Sequence, residues 1–141
     1  MKHIGIVVAV AAALLLWPVA GWAQPFSANS TWTNQTGAKL TIESIAADGS
    51  FTGSFVSHSG DIACRNTPYH VNGWIDGQKI AFSVRWTNTT ANCQAITTWS
   101  GFLGPKGLQT QWVLVYLKKG DHTISSGKDV FQDSVRLTNT R

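Results

Sequence analysis

The regularity that most constrains this 141-residue chain is a period of two, repeated over short segments with turn-forming residues between them. Successive side chains of an extended strand point to opposite faces, so a period of two commits one face of each segment to a core. Segments of this kind run Trp32 to Asn34, Leu40 to Ile45, Phe51 to Ser57, Val71 to Ile75, Ile80 to Trp86, Ile96 to Leu103, Leu108 to Leu117 and Val130 to Leu137. Turn signals separate them: Asn34-Gln35-Thr36-Gly37, Ala47-Asp48-Gly49, Asp76-Gly77 and Gly104-Pro105-Lys106-Gly107. The polar run Lys118 to Gly127 reads as the last loop. No segment carries a helical stripe, and short strands joined by hairpins leave no room for crossovers, so the chain is expected to be all-β and antiparallel.

Eight such strands close into an up-and-down β-barrel, which removes every exposed edge and leaves an interior that holds side chains or one small ligand. A sandwich is the alternative. The barrel is favoured by the composition of one face, where Trp32 with Asn34, Phe55 with Ser57, Thr97 with Trp99, Trp112 with Leu114, and Asp129 with Phe131 stand two apart. That face is too polar and too aromatic for a plain core. Indoles on an inward face are ordinarily packing residues. An acid and an amide beside them are not, because buried polar groups without partners are costly. A ligand cavity follows as the expectation.

The N-terminus predicts export. Lys2 and His3 precede the apolar run Ile4 to Trp17 and a small-residue exit, Gly21-Trp22-Ala23, in the pattern of a secretory signal peptide cleaved after Ala23. The apolar run falls short of a span of ~20 residues and is interrupted by Pro18 and Gly21. The expected organisation is a leader at 1–23, an arm at 24–29, a barrel at 30–137 and a tail at 138–141, secreted or periplasmic, with no membrane association after cleavage. A mature chain of this length holds one core. The formal charge of +4 is spread over loop lysines such as Lys106, Lys118, Lys119 and Lys128, which gives no footprint for nucleic acid.

Two cysteines, Cys64 and Cys93, in an exported chain most simply form one disulfide. Neither has a second cysteine or a histidine at ligand spacing to support a metal or a catalytic thiol. Closing that loop contributes roughly 3–4 kcal/mol in the chain-entropy account. His58 and Asp61 lie close together in a loop, without the nucleophile or positioned base that acid-base work would need. No triad, metal set or carboxylate pair is visible, so catalytic residues are expected to be none.

Six motifs, in order, resemble those of the avidin and streptavidin family: Trp32-Thr33-Asn34-Gln35-Thr36-Gly37, Thr52-Gly53-Ser54-Phe55, Val84-Arg85-Trp86-Thr87-Asn88, Thr97-Thr98-Trp99-Ser100-Gly101, Thr110-Gln111-Trp112-Val113-Leu114 and Gly127-Lys128-Asp129-Val130-Phe131. They cover nearly all of the mature chain. The resemblance implies a non-catalytic biotin binder that needs no cofactor. Trp86, Trp99 and Trp112 match the aromatic box around the thiophene ring and aliphatic chain, with Leu114 beside them. Asn34 matches the donor to the ureido oxygen, Ser57 and Asp129 the acceptors for the ureido N–H groups, and Thr97 the hydroxyl facing the ring sulfur. A carboxylate inside a barrel needs donors, so Asp129 is expected to meet the Asn34 or Gln35 amides or the Trp99 indole.

The chain departs from the family pattern at Ala38, Phe55 and Ala95, where the family carries a hydroxyl residue, a tyrosine and a serine. The first two losses fall around the ureido oxygen and the third opposite the valerate carboxylate. Neutral hydrogen bonds contribute ~0.5–1.5 kcal/mol and an orphaned partner costs ~1–3, so the three amount to roughly 2–6 kcal/mol. That is on the order of two to four powers of ten in affinity. A barrel carrier for another small ligand is therefore the alternative reading. The segment Lys118 to Ile124 lacks the tryptophan that tetrameric members lend to a neighbour. Cys64-Arg65-Asn66-Thr67-Pro68-Tyr69 and Asn92-Cys93 resemble the dimeric bacterial avidins, which implies a homodimer whose binding mouth is stiffened by the disulfide.

Overall fold

The computed structural model describes residues 25–60 and 62–134. The expected leader, Asp61 and the tail at 138–141 lie outside the described residues. Eight strands are described: β1 (Ser30–Asn34), β2 (Lys39–Ile45), β3 (Ser50–Val56), β4 (Pro68–Asp76), β5 (Lys79–Thr87), β6 (Asn92–Gly104), β7 (Gly107–Lys118) and β8 (Asp121–Asp133). They pair in chain order as a closed antiparallel barrel, with a 3-10 turn at Ile62–Cys64. The seam joins β1 to β8 through Trp32, Thr33 and Asn34 opposite Asp133, Gln132 and Phe131.

Alternation sets the wall. In β4 every second residue, Tyr69, Val71, Gly73 and Ile75, is buried while its neighbours face solvent. β5 continues the inward row with Ile80, Phe82 and Val84. Leu40, Ile42, Leu108 and Phe131 are fully buried, and Phe26 of the arm lies 5.3 Å from Trp32, so one end of the barrel is filled by side chains. This end is an ordinary core.

The other end differs. Ala95 and Trp112, Leu114, Tyr116, Thr123 and Ser125 occupy inward positions yet remain only half-buried. Inward residues that still reach solvent mean that the barrel is open there.

The last strand corrects the sequence expectation. β8 begins at Asp121, so most of the polar run Lys118 to Gly127 is strand, paired from Lys118 with Asp121 to Leu108 with Phe131. The connection from β7 is two residues long, and both take positive φ, 51° at Lys119 and 89° at Gly120. That geometry matches the twist of a hairpin. The run escapes sequence recognition because its inward residues, Thr123, Ser125 and Gly127, are small and polar. β4 likewise begins earlier than expected, at Pro68, which adds Tyr69 to the inward row.

Replacing Phe131, wholly buried at the seam, removes a large side chain from the filled end. Phe131→Ala is expected to lower unfolding free energy by about 3–5 kcal/mol, read from equilibrium urea melts of the ligand-free protein. A change below about 1 kcal/mol, the size of an ordinary surface effect, contradicts the closed core described here.

Candidate ligand-binding site

The open end collects the polar residues singled out in the sequence. Asp129 stands on β8, 7% exposed, and its two oxygens are held from two directions. Trp99 Nε1 on β6 donates to Oδ2 at 2.9 Å, and Gln35 Nε2 donates to Oδ1 at 3.0 Å. The same glutamine accepts from the Val130 amide at 3.0 Å and donates to the Lys128 carbonyl at 3.2 Å. A turn residue is thereby fastened to β8 by three hydrogen bonds, and it fixes the carboxylate as it does so. Of the partners expected for Asp129, the Gln35 amide and the Trp99 indole are used; the Asn34 amide is not.

Asn34 has a different arrangement. Its Oδ1 accepts from the Thr36 amide at 3.0 Å, the Thr36 hydroxyl at 2.9 Å and the Ala38 amide at 2.9 Å. With the carbonyl saturated by its own turn, the amide nitrogen is the end left to donate. The sequence of the turn alone orients the group, as asparagine side chains do when they cap a following loop. Ala38 thus serves through its backbone N–H, and the Thr36 hydroxyl is committed to Asn34.

The Ser57 hydroxyl donates to the Ser59 carbonyl at 3.0 Å and accepts from the Ser59 amide at 3.2 Å, which places it in the loop after β3. Thr97 Oγ1 accepts from Trp86 Nε1 at 2.8 Å. That bond leaves the threonine O–H as a donor and fixes the indole plane of Trp86.

Around these groups the wall is aromatic. Phe55 lies 4.8 Å from Trp99 and 5.9 Å from Trp86 in an edge-on contact, and Phe82 stacks on Trp99 at 4.9 Å and 8°. Trp112 lies across β8 at Gly127, where a Cβ would stand 2.4 Å from the indole Cζ2. Gly127 is a site residue that sequence reasoning did not single out. The sequence placed it at the end of the last loop, which hid the usual signal of a close approach, a glycine inside a strand. Leu114 and Ala95 complete the inward rows of β7 and β6, half-buried at the mouth.

The rim is stapled. A disulfide joins Cys64, at the end of the 3-10 turn, to Cys93 in β6, with Cα atoms 6.4 Å apart. Arg65 folds the loop back on itself by donating from Nε and Nη2 to the Gly60 carbonyl at 2.9 and 2.7 Å. His58 is exposed and bonded to Asn66, a loop contact. Among the described residues no group of three or more metal-ligating side chains comes together.

A barrel filled at one end, open at the other and lined there by indoles around an amide, two hydroxyls and a held carboxylate defines a small-ligand-binding barrel. The chain belongs to the avidin family, whose profile matches residues 22–134. It is 36% identical over 107 residues to afifavidin of Afifella pfennigii, covering 73% of this chain and 67% of that protein. It is 31% identical over 117 residues to hoefavidin of Hoeflea phototrophica, covering 75% and 71% respectively. Among solved structures, a biotin complex of a shwanavidin variant superposes with a TM-score of 0.70 at 41% identity, covering 79% of this chain and 100% of that one. The rhizavidin–biotin complex superposes at 0.69 with 35% identity, covering 76% and 92%.

Asp129→Ala is expected to lower the stability of the ligand-free protein by about 1–3 kcal/mol, because it strands the buried Trp99 N–H and releases Gln35. Urea denaturation followed by tryptophan fluorescence checks this. An unaltered midpoint means that Asp129 is not the acceptor on which these donors depend.

Proposed function

We propose that this chain is an exported, non-catalytic biotin-binding protein that holds its ligand in the open end of the barrel. The observation that carries the proposal is the convergence of buried Asn34, Ser57, Thr97, Asp129 and Trp99 with half-buried Trp86 and Trp112 on inward positions of the open end. The avidin family binds biotin without catalysis or cofactor, and neighbours in the family have been solved with biotin bound.

In this reading the Asn34 amide nitrogen donates to the ureido oxygen, Asp129 and Ser57 accept from the ureido N–H groups, and the Thr97 hydroxyl faces the sulfur. Trp86, Trp99, Trp112 and Leu114 enclose the apolar body, with Phe55 on the adjacent wall. The role of Asp129 is to present a fixed acceptor, since both its oxygens are oriented by donors from the protein itself. Preorganisation of this kind lowers the cost of binding. The amide of Ala38 supports Asn34 but leaves the family hydroxyl unreplaced, and Ala95 offers nothing polar to the valerate carboxylate. Affinity is therefore weaker than in the tightest members of the family. The disulfide limits the loop after β3 and so slows ligand escape.

Calorimetry on the mature protein tests this directly. Biotin is expected to bind one per chain, with an affinity roughly two to four powers of ten below the tightest avidins, and dissociation accelerates after reduction of the disulfide. No heat of binding ends the ligand assignment, and affinity equal to the tightest members ends the account of Ala38, Phe55 and Ala95.

We further propose a homodimer. On the outer wall Ile96, Val115 and Ile124 lie opposite one another across β6, β7 and β8, with Ile124 72% exposed. Trp74 and Phe102 add exposed apolar surface beyond that row. An apolar row of this kind on a monomer favours a like surface. Light scattering at micromolar concentration is expected to give twice the chain mass, and Val115→Asp to give the monomer. A tetrameric mass, or a dimer untouched by the substitution, contradicts the assignment.

A further inference from the structure

Among the described residues, the buried side-chain oxygens that make no hydrogen bond are Thr67 Oγ1 and Tyr69 OH. A buried hydroxyl without a partner is rare, because the desolvation it suffers goes uncompensated, and each instance asks for a physical cause. The other buried polar groups of the site have partners within the protein: Asp129 in Trp99 and Gln35, Thr97 in Trp86, Ser57 in Ser59, and Asn34 Oδ1 in its own turn. Thr67 precedes β4 and lies outside the β3–β4 ladder. Tyr69 lies inside it.

Tyr69 is 1% exposed and occupies the inward row of β4. Its ladder partner is Phe55, and its ring centroid is 5.1 Å from that of Trp86. Both neighbours belong to the wall of the open end. The Trp86 N–H is committed to Thr97, so it does not compete for the phenol. At position 55, where the avidin pattern carries a tyrosine, this chain carries phenylalanine, and the nearest tyrosine on that wall is one strand away.

We infer that Tyr69 is a further ligand-positioning residue: its hydroxyl meets the polar head of the bound ligand, directly or through one retained water, and makes up in part for the hydroxyl that Phe55 lacks. The inference rests on the biotin reading above. It gives the unpaired phenol a physical cause, since a group that pairs only in the complex adds to affinity what it takes from the stability of the free chain.

Tyr69→Phe keeps the ring contact with Trp86 and deletes only the oxygen. Biotin affinity is expected to fall roughly five- to tenfold, the size of one hydrogen bond, through a faster dissociation rate, while the melting temperature of the ligand-free protein stays the same or rises. A purely structural tyrosine gives the opposite pair, a lower melting temperature and unchanged affinity, and that result overturns the inference. Adding Phe55→Tyr to Tyr69→Phe is expected to recover most of the lost affinity, and a double variant as weak as Tyr69→Phe alone also overturns it. The wild-type titration run alongside separates the failures. If wild type binds no biotin, the ligand assignment falls and this inference with it; if wild type binds and Tyr69→Phe binds within twofold of it, only this inference falls.

Discussion

A carboxylate in the interior of a small barrel survives only with donors, and Asp129 collects them from distant parts of the chain. The Trp99 indole reaches it past β7 from β6, and Gln35 reaches it from the turn after β1. These bonds do two things together. They satisfy a group that is otherwise very costly to bury, and they lock the turn at one end of the seam against β8. Because the same turn orients Asn34 through Thr36 and Ala38, the acceptor and the donor faces of the site are set by one connected hydrogen-bond network.

The network works because the barrel has two different ends. At one, Phe26, Trp32, Leu40, Ile42, Leu108 and Phe131 fill the interior and supply the apolar burial that holds the fold. At the other, inward positions carry small or polar side chains alternating with indoles, and those nearest the rim are only half-buried. Closure of the sheet lets both coexist, since it removes edge strands and so frees the interior from having to be a core throughout. The disulfide and Arg65 restrain the rim where the ladder itself is absent.

Much of the fold is legible in the chain. Strict alternation in β3, β4 and β5, with Gly and Asn/Asp turns between, leaves little choice beyond antiparallel hairpins, and the strand count is fixed by the same pattern. The strand that sequence reasoning shortened is the informative exception. Thr123, Ser125 and Gly127 point inward although none is apolar, because they border an open mouth and not a core. Periodicity of hydrophobicity detects strands by what they bury, so a strand lining a hollow loses its signal. Tyr69 was missed for a related reason, lying beside Pro68 at the start of a strand whose apolar alternation becomes evident only from Val71.

By itself the sequence determined which residues alternate, where the hairpins turn, and that an acid, an amide and three indoles share the inward face, because those properties are local and fixed by the two-residue repeat. Only the closed tertiary structure decided which donors hold Asp129, that Gly127 makes room for Trp112, and that the Tyr69 hydroxyl is buried without a partner. Each of these depends on distances between side chains of different strands, and such distances are set only when β1 meets β8 and the wall takes its curvature.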